Sequence, residues 1–226
     1  MQTLQLARGC TRCAALVANR HCIVHGYGPA DANIIFVGEA PGYKGGDLTG
    51  VPFTRDRSGV RLQQLLIDLG LSDETDPRLE RPHLHCFVTN VVRCNPPANR
   101  TPNRAEIAHC QPFLWQELAL LQPRIVVPLG NVATRVLFSH LVGRPAPPIT
   151  RAHAQVFSGD GKWIVPMRHP ARISNADLGR FIAVLRPLLG HLPTQRQDIR
   201  QVHFSCTCTE PDTTASNHGS SGLDIT

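Results

Sequence analysis

Asn33-Ile34-Ile35-Phe36-Val37-Gly38-Glu39-Ala40-Pro41-Gly42 is the stretch that decides the fold. Its first five residues form a short apolar run between turn formers, the pattern of a buried strand. The strand then breaks directly into a glycine-rich loop that continues to about Gly50. Downstream, Val60, Leu62, Leu65, Leu66 and Leu69 have helical spacing, and Ser58 is a suitable N-cap for that helix. Residues 84–92 read as a second strand, followed by a loop rich in Pro and Asn over residues 94–102 and a helix over about 103–121. The run RIVVPL at 124–129 is a third strand, and Gly130 opens a helix to about Ser139. A fourth short strand at 163–165 leads into Arg168-His169-Pro170-Ala171 and a last helix ending near Leu189.

Strands alternating with helices argue for an α/β chain. The expected fold is a three-layer α/β/α sandwich around a small, mainly parallel, four-stranded central sheet. Ligands in such folds sit beyond the carboxyl ends of the strands. The segments at 38–42, 90–94 and 168–172 each follow a strand, at that shared edge. Residues 1–191 are expected to form one domain. From 192 to 226 the chain turns polar (TQRQDIR, then TTASNHGSSG), which reads as a mobile tail without a core.

The 226 residues are 42% hydrophobic and 18% charged, enough apolar matter for a core and too little charge for a disordered chain. Eighteen glycines and 19 prolines predict many loops. The net charge of +6 suits a polyanionic partner, nucleic acid being the commonest. Only Lys44 and Lys162 are lysines, so the basic groups are mostly arginines, which suit phosphate contacts. No apolar run of about 18 residues is present, which excludes a membrane-spanning helix and a membrane partner of that kind. The opening MQTLQLARGCTRC has no apolar signal-peptide stretch, so a cytosolic protein is expected. Disulfides are rare there, and eight cysteines call for metal, cluster or catalysis.

Cys10-x-x-Cys13 lets two thiolates hold one metal or cluster from a tight turn, and Cys94 with Cys110 could close a four-thiolate site. Spacing alone leaves zinc and iron–sulfur equally open. Cys22 and Cys86 read as small buried hydrophobes, while Cys206 and Cys208 lie in the polar tail with no evident partner.

Four segments together resemble one family: Cys10-x-x-Cys13; residues 38–42, GEAPG; residues 88–100, VTNVVRCNPPANR, with Cys110; and His169-Pro170-Ala171. The chain is similar to the iron–sulfur uracil-DNA glycosylases, families 4 and 5, over roughly residues 5 to 190. GEAPG is the family 4 form, whereas Pro52-Phe53-Thr54-Arg55-Asp56-Arg57-Ser58-Gly59 resembles the family 5 form. The resemblance implies a cytoplasmic, bacterial or archaeal, monomeric repair enzyme. It would flip uracil out of single- or double-stranded DNA and hydrolyse its N-glycosidic bond. It further implies a structural [4Fe-4S] cluster on Cys10, Cys13, Cys94 and Cys110.

Within that resemblance, the reaction needs a donor at the departing base, a group for the sugar cation or water, and a pocket for a flipped base. His169 is expected to hydrogen-bond the developing anion on uracil O2. Asn90 offers an amide matched to uracil O4 and N3–H. Phe53 would stack on the base. Glu39 and Asp56 compete for the polar work at the sugar. Gly38, Ala40 and Gly42 would bring main-chain N–H groups close to the base or phosphate. Arg168 and Arg172 are candidate phosphate or wedge residues, and Lys44, Arg55, Arg57, Arg93 and Arg100 could add phosphate contacts. Base specificity stays open between uracil alone and uracil with hypoxanthine. A non-catalytic DNA- or RNA-binding module and a redox iron–sulfur protein are the readings from other classes.

Overall fold

The sheet order is β3-β2-β4-β6-β5, built from β2 (Ile34–Gly38), β3 (Phe87–Asn90), β4 (Ile125–Pro128), β5 (Phe157–Gly159) and β6 (Lys162–Ile164). This computed structural model describes residues 9–192 and the backbone of Gln201–Val202. The first four strands in that order run parallel, in the register Gly38↔Asn90, Val37↔Pro128 and Val126↔Ile164. All five residues of β2 are buried, because a central parallel strand is covered on both faces.

The alternation along β2 sorts the core into two layers. Ile34 and Phe36 pack with Leu62, Leu65 and Leu66 of α3 (Arg57–Asp68) and with Phe181 and Leu185 of α7 (Asn175–Gly190). Ile35 and Val37 pack on the opposite face with Leu114 and Leu118 of α4 (Arg104–Leu121) and with Leu137 and Phe138 of α5 (Gly130–Leu141). Helices on both faces give the expected three-layer α/β/α sandwich. The remaining helices are short: α1 (Ala14–Asn19), α2 (Gly46–Thr49) and α6 (Ile149–Ala152).

Three expectations are corrected. The central sheet has five strands, because β5 adds an antiparallel edge to β6. Its signal was Asp160-Gly161, both at positive φ, a two-residue hairpin turn that joins two short half-exposed strands. The N-cap of α3 is Asp56, whose Oδ1 accepts from Gly59 N at 2.8 Å, so Ser58 lies inside the first turn. The segment beyond residue 192 contains a ladder: β7 (Gln201–Val202) pairs antiparallel with β1 (Gly28–Pro29). The rest of the expected tail, with Cys206 and Cys208, lies outside the described residues. No helix among the described residues is long and apolar enough to cross a membrane.

Candidate active site

The carboxyl ends of β2, β3 and β4 and the segment after β6 converge on a cavity of about 1090 Å³. Each strand delivers one loop. From β2 come Glu39, Ala40 and Gly42, and from the loop before α3 comes Asp56. The segment after β6 contributes Arg168, His169 and Arg172.

Gly38, Phe53 and Asn90 do not line this cavity; they meet at the β2–β3 ladder, where β2 passes into the lining loop at Glu39. Gly38 and Asn90 are register partners, and a Cβ on Gly38 would lie 2.4 Å from both Asn90 Oδ1 and Phe53 Cζ. Only a residue without a side chain leaves room for the amide and the ring together. Asn90 is buried, and its Oδ1 has no hydrogen-bond partner among the described residues. An orphaned buried acceptor costs about 1–3 kcal/mol, which a ligand N–H would recover. Phe53 packs against the core edge yet stays partly exposed. Phe53 and Arg55 both take positive φ, 54° and 66°, so the loop that carries Asp56 holds backbone strain of the kind that clusters at functional sites.

Asp56 spends one oxygen and keeps the other. Its Oδ1 accepts from Gly59 N and from Ser58 Oγ at 2.7 Å, while Oδ2 takes no donor among the described residues. Oδ2 lies where a Cβ on Gly42 or Gly45 would come within 2.6 Å, so both glycines admit the carboxylate. Glu39 is a different carboxylate. Burial pushes its pKa up, against the opposing pull of a Thr101 hydrogen bond and the charges of Arg135 and Arg172.

His169 caps the single turn Pro170–Arg172 and is half-buried. Ala171 N donates to its Nδ1 at 3.3 Å, which makes Nδ1 the acceptor and leaves the proton of a neutral ring on Nε2. Burial pushes its pKa below the ordinary value, the Arg172 charge adds to that, and Asp56 opposes it. The neutral ring is therefore the favoured form near pH 7. Arg172 is exposed, whereas Arg168 sets its Nε 3.5 Å from Asp177 Oδ2.

One expected phosphate contact is corrected. Arg93 is buried and pairs with Glu117 Oε2 at 2.7 Å, so it faces the interior. Arg100 is exposed and lines the cavity, held in place by two bonds to Glu106 of 2.7 and 2.8 Å. Sequence reading also missed Thr101, Asn131 and Arg135, which line the same cavity. Asn131 and Arg135 lie in the first two turns of α5, which follows β4 at the same edge as the other three loops, so their position was readable.

The four candidate ligand cysteines converge. Cys10 and Cys13 precede α1, Cys94 follows β3, and Cys110 sits on α4; all four are free thiols. Burial raises the pKa of Cys13, Cys94 and Cys110, the last to about 11, and each is raised further by neighbours within the set. Arg20 donates to Cys94 Sγ at 3.3 Å, Arg93 N donates to Cys110 Sγ at 3.2 Å, and His109 Nδ1 lies 3.4 Å from Cys13 Sγ. Four thiols gathered from the segment before α1, the loop after β3 and helix α4 are a donor set able to hold a metal ion or a metal–sulfur cluster. Cys22 and Cys86 are buried, as expected.

A polar chain joins the cysteine region to the cavity. Asn19 at the end of α1 donates to Asn95 Oδ1 at 2.8 Å. Asn95 Nδ2 donates to Pro41 O at 2.8 Å and to Asn99 Oδ1, which in turn accepts from Tyr43 N.

Comparison with known proteins agrees with this arrangement. The family model described as UDG, the Uracil DNA glycosylase superfamily, matches residues 25–192. The chain is 36% identical over 163 residues to the type-4 uracil-DNA glycosylase of Thermotoga maritima, covering 72% of this chain and 76% of that one. It is 32% identical over 190 residues to the type-5 uracil-DNA glycosylase of Pyrobaculum aerophilum, covering 76% and 82%. It is 34% identical over 161 residues to the type-5 uracil-DNA glycosylase of Thermus thermophilus, covering 70% and 73%. With the match running from the segment before β1 to the end of α7, this chain belongs to the uracil DNA glycosylase superfamily.

Proposed function

We propose that the protein is a DNA-repair glycosylase that excises uracil from DNA, leaving an abasic site for base excision repair. The observation that carries this reading is the orphaned Asn90 Oδ1, buried against Gly38 and Phe53 at the head of the cavity loop. Uracil N3–H is a donor of the required kind, and its O4 accepts from the same amide. Cytosine has an amine at that position and an unprotonated N3, so it matches neither atom.

Phe53 would stack on the flipped base. As the N1–C1′ bond breaks, its electron pair goes to the base, and the Nε2–H of neutral His169 would donate to uracil O2. A water would add to C1′ and give its proton to Asp56, whose Oδ2 takes no donor among the described residues. Glu39, hydrogen-bonded to Thr101, would shape the mouth of the pocket. Gly38, Ala40 and Gly42 would admit the base to the backbone, and Arg172 would contact phosphate, with Arg168 steadied by Asp177.

Cys10, Cys13, Cys94 and Cys110 would hold a [4Fe-4S] cluster. Arg20 and the Arg93 N–H donate to two of the four sulfurs, and donors of that kind support thiolate ligands. The cluster would act as a covalent staple. The Asn19–Asn95–Pro41 chain would carry its order to the cavity loop. The protein would work as a monomer in the cytosol, on single- or double-stranded DNA.

A broader substrate range is the second reading. Asp56 lies in a segment of family 5 form, and relatives of both types match with similar identity. Oligonucleotides with one uracil, single-stranded or opposite G or A, with hypoxanthine in parallel, decide between them. Cleavage at uracil alone supports the narrow reading, and cleavage at both bases supports the broader one. No cleavage by iron-replete protein removes the enzyme and leaves a binding module.

A further inference from the structure

The connection from α3 to β3 folds back on itself at the end of the sheet opposite the cavity. His85 N donates to Leu71 O at 2.9 Å, Asp73 N donates to His83 O at 3.2 Å, and Ser72 and Leu84 form an antiparallel bridge between them. Side chains alternate across such a ribbon. Ser72 and Leu84 point into the protein and are buried, so Asp73, His83 and His85 share the outer face.

There the three side chains meet. His83 Nδ1 lies 2.7 Å from Asp73 Oδ2, and His85 Nε2 lies 2.6 Å from Asp73 Oδ1. The two imidazoles stand edge to face, 5.4 Å between centroids. One ligand atom from each residue lies within 4.8 Å of the other two. Glu74 Oε1 accepts from His83 N at 2.7 Å, and Ser72 Oγ donates to His83 O at 3.1 Å, so the backbone that carries the set is held by its own bonds.

We propose that Asp73, His83 and His85 form a binding site for one divalent transition-metal ion of the zinc class. Two imidazole nitrogens and one carboxylate oxygen suit zinc and its neighbours, whereas calcium and magnesium require mostly oxygen ligands. Neutral imidazoles with one carboxylate carry a single negative charge, which a divalent cation overcompensates. The position at the solvent face leaves room for water as a fourth ligand and keeps the desolvation cost low. The ion would pin residue 73 on the outgoing arm to residues 83 and 85 on the return arm, closing the loop between them. None of these residues lines the cavity, and the proposal does not depend on the glycosylase reading.

Iron-replete protein is incubated with zinc sulfate, desalted, and assayed for zinc and iron per chain. Wild type is expected to gain one zinc with its iron unchanged. The double variant His83→Ala/His85→Ala is expected to gain none with the same iron. Asp73→Asn should weaken zinc by more than the roughly 10- to 100-fold that follows loss of a mere supporting partner. Zinc should raise the melting temperature of wild type and leave that of the double variant unmoved. The proposal is overturned if wild type gains no zinc, or if the double variant gains as much as wild type. Zinc gained only as iron is lost also overturns it, because that ion would sit among the cysteines.

Discussion

Gly38 and Asn90 face each other across the β2–β3 ladder so closely that a Cβ on Gly38 would stand 2.4 Å from the Asn90 side-chain oxygen. The same Cβ would meet Phe53 Cζ at 2.4 Å. Gly38→Ala must therefore displace the amide, the ring or both, while the strand, buried and paired on both sides, remains. Displacing a positioning group by about 1 Å costs about 100-fold. Excision by Gly38→Ala is expected to fall by at least that much, with unchanged circular dichroism and iron content. Full activity in this variant would remove Asn90 and Phe53 from the base pocket.

Asp56 has a structural and a chemical task that substitutions can separate. Asn caps a helix about as well as Asp, so Asp56→Asn keeps the bond to Gly59 N and removes the charge. Its melting temperature should stay near that of wild type while excision falls by roughly 100-fold, the scale of a lost general base. Asp56→Ala should lose activity equally and about 1 kcal/mol of stability besides. Glu39→Gln should cost less activity and alter discrimination against thymine. The reverse order, with Glu39→Gln the more damaging, would hand the sugar-side role to Glu39.

The strands were legible because each is a short apolar run, and the helices because their apolar residues recur at helical spacing. Edge strand β5 was not, since Phe157-Ser158-Gly159 is half-exposed and has no apolar run to read. The site loops at 38–42, 90–94 and 168–172 stood out by their glycine, proline and polar residues. Charge type was legible; pairing was not. Arg93 and Arg172 look alike in a sequence, yet one is buried against Glu117 and the other is exposed at the cavity. The free oxygen of Asp56 likewise emerges only once its partner oxygen is seen capping α3.

His169 should titrate below its ordinary value of 6.5, because burial and Arg172 disfavour the charged ring more than Asp56 favours it. Between the folded and unfolded values the unfolded chain binds more protons, so stability rises with pH through that window. It is lost as pH falls below 6.5. His153, also shifted down by burial, acts in the same direction. Isotope-edited NMR of the His169 ring checks this directly, and a midpoint at or above 6.5 would contradict the neutral donor. His169→Ala should lower excision by roughly 100- to 1000-fold with iron content intact.

Cys94 is the buried member of the thiol set, and Arg20 donates to its sulfur. Cys94→Ala is expected to lose iron, melting temperature and DNA affinity together. Asn95→Ala should keep its iron and lose affinity, because it cuts the chain from α1 to the cavity loop. Normal DNA affinity in both variants would show that the cysteine region does not order the loop.

Arg93 and Arg172 should separate in stability and in salt dependence. Arg93 is sealed between β3 and α4, bonded to Thr89 Oγ1 and paired with Glu117. Arg93→Met would strand the buried Glu117 carboxylate, at a cost of about 3–5 kcal/mol. Replacing Glu117 by Met as well should restore much of that loss, since a packed apolar pair avoids burying a lone charge. Arg172 is exposed and free to meet a phosphate. Arg172→Ala should leave the melting temperature nearly unchanged and reduce the slope of log affinity against log salt by about 1. The slope for folded Arg93→Met should match wild type. A reduced slope for Arg93→Met with an unchanged melting temperature would return Arg93 to the DNA surface and overturn the assignment of its charge to the core.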